Sequence, residues 1–576
     1  MTSAAIRQAV REVLGTADLR PGQAEAIESV LARDTLAVLA SGSGKTLIYT
    51  VAAKLIDGTT LVVSPTIALQ HDQLRALHAA GERAAVLNAS LPARQRRQAL
   101  GDFAAGRIEF LLLAPEQLAN EEVLGELRRS PVSLAVVDEA HCISEWGHDF
   151  RPDYLGLGSA FRALGEPRLL ALTATASPRV RQEVTDRLGM RDPAVVVRDA
   201  DRPNIWLGVD LVGSEDAKRE ELVRQVLLAM HGEPDHEEID AYGPPTHEPP
   251  RLPTGSGVVE PGGPGIVYAA THRGTEEIAQ LLRDNGVDAV HYHGALPRGD
   301  REAAQDAFMT GQVEVIVATS AFGMGVDKPD VRFVFHAEPP ESLDAYYQEI
   351  GRAGRDREPA RAALFYLPSD LRLPRFFAGG AGPGVPELAG VLEVVRADGP
   401  VSPSVLASST GLRTGRLTAA LNALESAGAV RRGKDRRVAA APPTRGTPAA
   451  ELAEAAVQLR ERQRQYAKSA VEMVRTYADT TDCRRRIVLE LLGEEHRQRC
   501  GHCDNCDRGE SVESDDRPFT LGQRVRHPRW GLGSVQTYEE GDRVVVLFEA
   551  AGYKTLALDV VSHQHLLQPV DNTGGR

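Results

Sequence analysis

The sequence predicts a multidomain α/β protein whose first two domains are tandem parallel sheets flanked by helices. Short apolar runs alternate with amphipathic helical patterns, and this alternation occurs twice along the chain. After about residue 370 the composition shifts to helices, clustered cysteines and finally short β-strands. We therefore expect the two α/β domains to be followed by a winged-helix-like domain, a helical zinc-binding module and a small C-terminal SH3-like β-barrel.

Length and charge narrow the possible classes of protein. The chain has 576 residues, enough for several domains. Its 80 acidic residues outnumber its 66 basic residues, so nucleic acid would have to bind to local basic surfaces. No apolar run approaches the roughly 18 residues of a membrane-spanning helix, and the N-terminus lacks the apolar core of a signal peptide. We expect a cytoplasmic protein.

The first α/β domain is predicted over residues 1–210. Its expected strands are Thr35–Ala40, Thr60–Ser64, Phe110–Ala114, Leu134–Val137 and Leu169–Leu172. The first strand runs into a glycine-rich turn before a helix, formed by Ser41, Gly42, Ser43, Gly44, Lys45 and Thr46.

This turn has the residues that a phosphate-binding loop requires. Glycine lets backbone N–H groups approach phosphates, Lys45 reaches the β- and γ-phosphates of ATP, and the Thr46 hydroxyl can ligate Mg²⁺. The strict pattern has glycine where this chain has Leu39. The alternative is a glycine-rich turn before an ordinary helix.

Two adjacent acids follow the run Leu134–Val137. We expect Asp138 to hold Mg²⁺ and Glu139 to orient and deprotonate the attacking water. Two acids at a strand end are common by chance, but an α/β nucleotide site needs acids at the tip of a buried strand, and these lie about 90 residues after a candidate phosphate loop. Cys142 beside them is expected to be a small packed residue.

A linker or insertion is predicted over residues 211–264, and the second α/β domain over 265–375. Residues 231–264 are rich in proline, glycine, glutamate and histidine without regular metal-ligand spacing, which favours a solvated loop. The expected strands of the second domain are Ile266–Ala269, Ala289–Tyr292, Val313–Ala318, Val331–His336 and Ala362–Tyr366.

The second domain carries a basic helical motif, QEIGRAGR, that ends at residue 355. We expect Gln348, Arg352 and Arg355 to take part in catalysis, the arginines by stabilising charge on the transferring phosphoryl group from across a cleft. A solvent-exposed basic helix is the alternative.

At this point the chain resembles a superfamily 2 helicase, and its motifs are similar to those of the RecQ family. The matching segments are LRPGQ (19–23), VVSPTIALQHDQ (62–73), DEAHCISEWGHDFRPDY (138–154), ALTATAS (171–177), GIVYAATHRG (265–274), VIVATSAFGMGVDKPDVRFVFH (315–336) and YYQEIGRAGRD (346–356). The resemblance implies two RecA-like domains. It also implies that Arg20 and Gln23 contact adenine, and that Ser64 and Thr319 contact DNA phosphates.

The aromatic-rich loop after the DEAH acids is the most specific part of this resemblance. It implies that single-stranded DNA is sensed by Trp146, His148, Phe150 and Arg151. The aromatic rings offer stacking surfaces for unpaired bases, and the arginine can reach phosphate or base. The alternative is that the rings only pack the loop.

A winged-helix-like domain is predicted over residues 385–445. Residues 402–430 read as helix, turn at Gly411 and helix, and a basic segment follows. RecQ proteins usually carry the winged helix after the zinc module, whereas this candidate precedes it. The strand-separating role is therefore not carried over, and a packing role is the alternative.

The zinc-binding module is predicted over residues 449–510. Four thiolates spaced C-x16-C-x2-C-x2-C suit tetrahedral Zn²⁺, and they belong to Cys483, Cys500, Cys503 and Cys506. The last segment, 517–566, resembles the SH3-like barrel that ends UvrD-type helicases. Such barrels mostly bind proteins or nucleic acid, and this one has a basic first half.

Together these features predict an ATP- and Mg²⁺-dependent helicase with a zinc module. The resemblance implies 3′→5′ movement on single-stranded DNA, unwinding of tailed or forked duplexes, a role in repair and recombination, and association with the bacterial nucleoid. One alternative is a translocase or RNA–DNA hybrid unwinder that separates duplex DNA poorly. A remote alternative is a zinc and winged-helix DNA-binding regulator with a decayed ATPase core.

Overall fold

The computed structural model of the chain describes most of the sequence. The described residues are 3–14, 19–20, 22–40, 42–88, 91–144, 150–198, 201–231, 262–323, 327–372, 382–433, 437–441, 446–494, 496, 498–509, 518–539 and 542–570. Within these ranges, no helix is both long and apolar enough to cross a membrane.

The first sheet has seven parallel strands in the order β3-β4-β2-β5-β6-β1-β7. These strands are β1 Thr35–Leu39, β2 Thr59–Val63, β3 Ala84–Leu87, β4 Phe110–Leu113, β5 Val132–Val137, β6 Arg168–Thr173 and β7 Ala194–Arg198. The helices around them are α1 Ser3–Leu14, α2 Gln23–Ala32, α3 Lys45–Leu55, α4 Ile67–Ala79, α5 Ala93–Ala104, α6 Pro115–Leu118, α7 Glu121–Leu127, α8 Leu157–Ala163 and α9 Pro178–Leu188.

The sequence explains why this sheet is parallel and central. Strands β1, β2 and β4 are continuous apolar runs that are buried along their whole length, as expected when helices cover both faces of a sheet. The register places the carboxyl ends of β1, β2 and β5 at one edge of the sheet. The phosphate loop and the two acids both follow strands at this edge.

The second sheet has six parallel strands in the order β10-β11-β9-β12-β13-β8. Its strands are β8 Ile205–Leu211, β9 Gly265–Tyr268, β10 Ala289–Tyr292, β11 Val315–Ala318, β12 Phe333–His336 and β13 Ala360–Tyr366. Its helices are α10 Glu215–His231, α11 His272–Asp284, α12 Arg298–Met309 and α13 Leu343–Ile350.

Two parts of the predicted domain organisation need correction. Strand β8 pairs with β13 along its whole length, so the second sheet begins at Ile205, inside the segment that we assigned to the first domain. The predicted linker 211–264 contains helix α10, which buries Leu222 and Val226 against the second sheet. Residues 232–261, which hold the rest of the predicted loop, lie outside the described residues.

A helical segment follows the second sheet. It contains α14 Val385–Asp398, α15 Pro403–Thr410 and α16 Thr414–Ser426, and then the antiparallel pair β14 Val430–Arg432 and β15 Val438–Ala440. Gly411 ends α15 with φ of 68°, a left-handed conformation that favours glycine and gives the predicted turn between the two helices. The apolar core of this segment also includes Ala453 and Ala456 from the long helix that follows.

The chain ends in the cysteine-containing segment and an antiparallel sheet. The first comprises α17 Ala449–Asp479, α18 Arg484–Leu491 and α19 Asp504–Asp507. The sheet has the strand order β19-β18-β17-β16-β20, with strands β16 Arg524–His527, β17 Gly531–Glu539, β18 Arg543–Phe548, β19 Gly552–Ala557 and β20 Gln568–Pro569, and one helix, α20 Leu558–Gln564.

The C-terminal sheet is packed onto the rest of the molecule. The Tyr553 ring lies 6.1 Å from the Tyr466 ring of α17, and the Thr537 hydroxyl donates a hydrogen bond to Glu490 of α18 at 2.7 Å. An ion pair of 3.3 Å joins Arg179 of the first domain to Glu549. The last sheet is therefore fixed to both the cysteine-containing segment and the first domain.

Candidate active site and zinc centre

The phosphate loop connects β1 to α3. Gly42 and Gly44 both have φ of 75°, so the loop uses glycine where the backbone is left-handed. Lys45 begins α3, and its Nζ donates to the carbonyl oxygen of Leu39 at 3.3 Å. Thr46 follows on the first turn of this helix, whose backbone N–H groups and dipole favour an anion. Ser41 lies outside the described residues.

Arg20 and Gln23 both contact this loop. The Gln23 side chain is buried and its Nε2 donates to the carbonyl oxygen of Ser43 at 2.6 Å, while its Oε1 accepts from the backbone N–H of Arg20 at 2.8 Å. The Arg20 guanidinium donates to the carbonyl oxygen of Gly42. The two predicted adenine contacts therefore lie beside the predicted phosphate site.

Asp138 follows β5 and faces the same loop. Its Oδ2 accepts a hydrogen bond from Nε2 of Gln73 at 2.6 Å, and its Oδ1 accepts from the backbone N–H of Glu139 at 3.0 Å. Burial raises the pKa of Asp138 to about 6; the Glu139 carboxylate adds to this rise and Lys45 opposes it. A buried, hydrogen-bonded carboxylate beside a lysine can hold a divalent cation that bridges phosphates.

The acids after β5 are linked to the neighbouring strand β6. Glu139 has φ of 47°, and its Oε2 lies 3.3 Å from Nδ1 of His141. That same nitrogen lies 2.9 Å from the Thr173 hydroxyl at the end of β6. Since β6 is the strand next to β5, this histidine joins the predicted catalytic acid to Thr173 of the segment ALTATAS (171–177).

The second domain reaches the phosphate loop through residues 351–355, which we name the arginine turn. A Cβ atom added to Gly42 would lie 3.3 Å from Cδ of Arg355, so Arg355 packs directly against the loop. Its Nη1 donates to Oδ1 of Asp327 at 2.6 Å. Arg352 is buried, and its Nη2 would lie 3.3 Å from a Cβ added to Gly323. Arg355 therefore lies against the loop, and Arg352 lies beside Gly323 in the second domain.

Helix α13, which carries the half-buried Gln348, ends at this turn and is anchored on the sheet. Glu349 Oε2 lies 2.7 Å from Nε2 of His336 at the end of β12, and both side chains are buried. His336 in turn stacks on Tyr268 with ring centroids 5.1 Å apart. Glu349 therefore holds the helix in place, a role that the motif alone did not reveal.

The connection between the two sheets also holds the arginine turn. The Arg202 guanidinium donates to the carbonyl oxygens of Gly351, Ala353 and Gly354 at 3.0, 2.7 and 2.7 Å. Asn204 Nδ2 donates to Gly354 at 2.9 Å. Sequence reasoning missed both residues, although arginine, proline and asparagine just before a strand signal a structured connection.

The residues predicted to contact DNA differ in burial and in position. Ser64 is fully buried, so its hydroxyl does not reach the surface in this conformation, because β2 ends between β4 and β5. Thr319 follows β11 at the carboxyl edge of the second sheet, and Phe150 is partly exposed. Arg151 Nη1 donates to the carbonyl oxygen of Pro65 at 2.9 Å. Trp146 and His148 lie outside the described residues.

The four predicted zinc ligands come together. Their sulfur atoms all lie within 4.8 Å of one another, and Cys500 and Cys506 are 3.8 Å apart. A tetrahedral site with Zn–S bonds of about 2.3 Å has sulfur–sulfur edges of roughly 3.8 Å. Hydrogen bonds among the thiols lower the pKa of Cys483 and raise the pKa of Cys500, so these thiols compete for the same protons. The cluster fits Zn²⁺.

Buried ion pairs hold this cluster on the second sheet. Arg484 donates to both carboxylate oxygens of Asp504 at 2.9 and 3.0 Å, and Asp504 accepts from the backbone N–H of Val209 in β8 at 3.2 Å. Trp206 Nε1 donates to Asp507 at 2.8 Å. Sequence reasoning identified the cysteines but not this anchoring.

Comparison with known proteins agrees with this arrangement. The chain matches family models described as DEAD/DEAH box helicase (residues 20–184), helicase conserved C-terminal domain (256–357), RecQ zinc-binding (450–507) and protein of unknown function DUF3553 (519–565). It is 38% identical over 393 residues to the probable ATP-dependent DNA helicase RecS of Bacillus subtilis, covering 68% of this chain and 72% of that protein.

Two longer relatives are also similar. The ATP-dependent DNA helicase RecQ of Pasteurella multocida is 38% identical over 359 residues, covering 62% of this chain, and that of Bacillus subtilis is 36% identical over 366 residues, covering 63%. The chain spans about half of their length, 51% and 56%. The helicase and zinc-binding matches, together with the coverage of RecS, show that the chain belongs to the RecQ family of superfamily 2 helicases.

Proposed function

We propose that this chain is an ATP-dependent DNA helicase that moves 3′→5′ on single-stranded DNA and unwinds tailed or forked duplexes in repair and recombination. The observation that carries this proposal is the contact between Arg355 and Gly42. This contact places an arginine of the second domain against the phosphate loop of the first, so ATP bound at the loop would bridge the two domains. Hydrolysis would then loosen that bridge and change their relative position.

The residues at this cleft have distinct roles in the proposal. Lys45 binds the β- and γ-phosphates, Thr46 and Asp138 hold Mg²⁺, and Glu139 takes a proton from the attacking water. Mg²⁺ neutralises charge on the phosphates and on the leaving group.

The remaining catalytic residues lie in the second domain. Arg352 and Arg355 stabilise the charge that develops on the γ-phosphoryl group, and Gln348 orients groups at the same cleft. Arg20 and Gln23 are proposed to contact the adenine of ATP. Both residues also hydrogen-bond to the phosphate loop.

DNA is proposed to run across both domains. Thr319 binds a phosphate, and Trp146, His148, Phe150 and Arg151 sense unpaired bases. Arg151 donates a hydrogen bond to the carbonyl oxygen of Pro65, just after the end of β2, and β2 pairs with β5. A base that moves Arg151 would therefore affect the strand next to the one that carries Asp138 and Glu139. Ser64 would need a rearrangement to reach DNA.

We also propose a winged helix for residues 385–445 and an SH3-like barrel for 517–566. Three helices followed by an antiparallel pair of strands support the first, and a small antiparallel sheet of five strands supports the second. The exposed arginines of β14 suit duplex DNA, and the barrel suits a protein partner. We expect the protein to act at the nucleoid in the cytoplasm.

The test is unwinding of duplexes with a 3′ tail, a 5′ tail or a fork, alongside an RNA–DNA hybrid. We expect ATP-dependent unwinding of the 3′-tailed and forked DNA, and none with the Lys45→Ala variant, which should still bind single-stranded DNA. Unwinding of the RNA–DNA hybrid alone would instead favour the alternative function, a hybrid unwinder that separates duplex DNA poorly. That alternative arises because the winged-helix-like segment precedes the zinc module. ATP hydrolysis by Lys45→Ala at the wild-type rate would contradict the proposed phosphate loop.

A further inference from the structure

Three histidines and a glutamate meet on the surface of the second domain, away from the cysteine cluster. His272 and Glu276 lie one turn apart on α11 and so share a face of this helix. His291 lies in β10 and His293 directly follows the last residue of this strand, so the two side chains lie two residues apart on the same side of the chain. The two pairs face each other where α11 packs on β10.

The distances suit a metal ion. One ligand atom from each of Glu276, His291 and His293 lies within 4.8 Å of the others. Nε2 of His293 is 3.1 Å from Oε1 of Glu276. The His293 ring also stacks on His272 and His291, with centroids 4.6 and 5.7 Å apart. Imidazole and carboxylate are ligands that Zn²⁺ accepts, and a set of two histidines and one glutamate binds zinc in known enzymes.

His293 provides a second, independent observation. Its side chain is only 5% exposed, and its Nδ1 has no hydrogen-bond partner among the described residues. A buried ring nitrogen without a partner is unusual, because burial of an unsatisfied polar atom is unfavourable. With the proton on Nδ1, Nε2 offers its lone pair to a cation beside Glu276.

We propose that Glu276, His291 and His293 form a second Zn²⁺ site, separate from the four cysteines. The fourth position belongs to water or to His272, whose exposed ring can rotate toward the ion. The ion would join the first turns of α11 to the end of β10. Because the backbone N–H of Thr319 donates to Tyr292 at 3.2 Å, this end of β10 also supports the strand that carries a proposed DNA contact.

The test counts zinc in the untagged full-length chain after dialysis against Zn²⁺ and then against metal-free buffer. We expect about two ions per wild-type chain and about one in His291→Ala and Glu276→Gln, since each variant removes one of only three proposed protein ligands. Both side chains are at least partly exposed, so these variants should fold. The matched control is the double variant His563→Ala/His565→Ala, which removes two exposed histidines elsewhere and should keep about two ions.

Cobalt distinguishes the two sites independently of folding. Co²⁺ bound by four thiolates gives intense sulfur-to-metal charge-transfer absorption, whereas Co²⁺ bound by histidine and glutamate gives only weak ligand-field bands. We expect a second equivalent of Co²⁺ to add bands of the weak kind in the wild type and not in His291→Ala. One zinc ion per wild-type chain, or an unchanged count in both cluster variants, would overturn the proposal. Loss of an ion in the control would also overturn it.

Discussion

Arg202 is the residue whose replacement tests most directly how the arginine turn is positioned. It lies between the two sheets and donates to three carbonyl groups, those of Gly351, Ala353 and Gly354, in the turn that places Arg352 and Arg355. None of these three hydrogen bonds involves the phosphate loop. We expect Arg202→Lys to lower kcat for DNA-stimulated ATP hydrolysis by about 10- to 100-fold, while KM for ATP changes little.

The size of this effect follows from the hydrogen bonds. A planar guanidinium spans several carbonyl groups at once, whereas an ammonium group on a flexible chain cannot keep the same geometry. Loss of one bond from a charged donor costs ~1.5 kcal/mol or more, which is about a 10-fold change in the fraction of correctly placed turns. A displacement of about 1 Å can cost about 100-fold in rate. ATP affinity is spared because Gln23 and Lys45 stay in place.

The assay is steady-state ATP hydrolysis at saturating single-stranded DNA, with ATP varied, for Arg202→Lys and Arg202→Ala. Arg357→Ala is the matched control, because this exposed arginine follows the same turn and only its backbone N–H bonds to Gly354. We expect the control to retain wild-type kcat and the lysine variant to exceed the alanine variant. Wild-type kcat in both Arg202 variants would refute the reasoning, and a change confined to KM would point to nucleotide binding instead.

Three further variants test other parts of the molecule. Cys503→Ser should remove the cysteine-bound zinc and lower the melting temperature, as metal analysis and melting curves would show. The protein that remains folded should keep most of its ATP hydrolysis rate. Phe150→Ala should reduce DNA stimulation of ATP hydrolysis without altering KM for ATP, which parallel DNA titrations would separate from weaker binding. Burial raises the pKa of Asp344 from 3.8 to about 6, so wild-type stability falls as pH rises through this window, by about 3 kcal/mol in all. Asp344→Asn should therefore raise the melting temperature at pH 8 and not at pH 4; an equal shift at both would exclude titration as the cause.

The sequence predicted those parts of the molecule in which local pattern determines structure. Continuous apolar runs bounded by turns gave most strands of the two parallel sheets, because such strands are buried on both faces. The glycine-rich loop and the cysteine spacing were identified for a similar reason. Each requires particular residue types at short separations, whatever the rest of the chain does.

Long-range pairing was harder to predict. Residues 205–210 were assigned to the first domain without a predicted strand, yet they belong to β8, which pairs with β13 more than 100 residues away. The apolar pattern of β8 suits either sheet, because each sheet offers an edge strand, β7 in the first and β13 in the second. The hydrogen bond from Gln73 to Asp138 was missed for a related reason, since helix α4 and strand β5 meet only in the folded chain.

The connection that contains β8 also explains how the zinc-binding segment communicates with the cleft. Asp201 pairs with Arg485 at 2.6 Å, and the next residue, Arg202, holds the arginine turn. Arg485 also donates to the carbonyl oxygen of Ile205, the first residue of β8, and Leu207 forms a bridge with Cys503. The connection between the two sheets is therefore hydrogen-bonded at Arg202 to the arginine turn and forms a β-bridge at Leu207 with the zinc ligand Cys503. In this architecture the cysteine-containing segment is bonded to the connection, and the connection holds the turn that places Arg355 against Gly42.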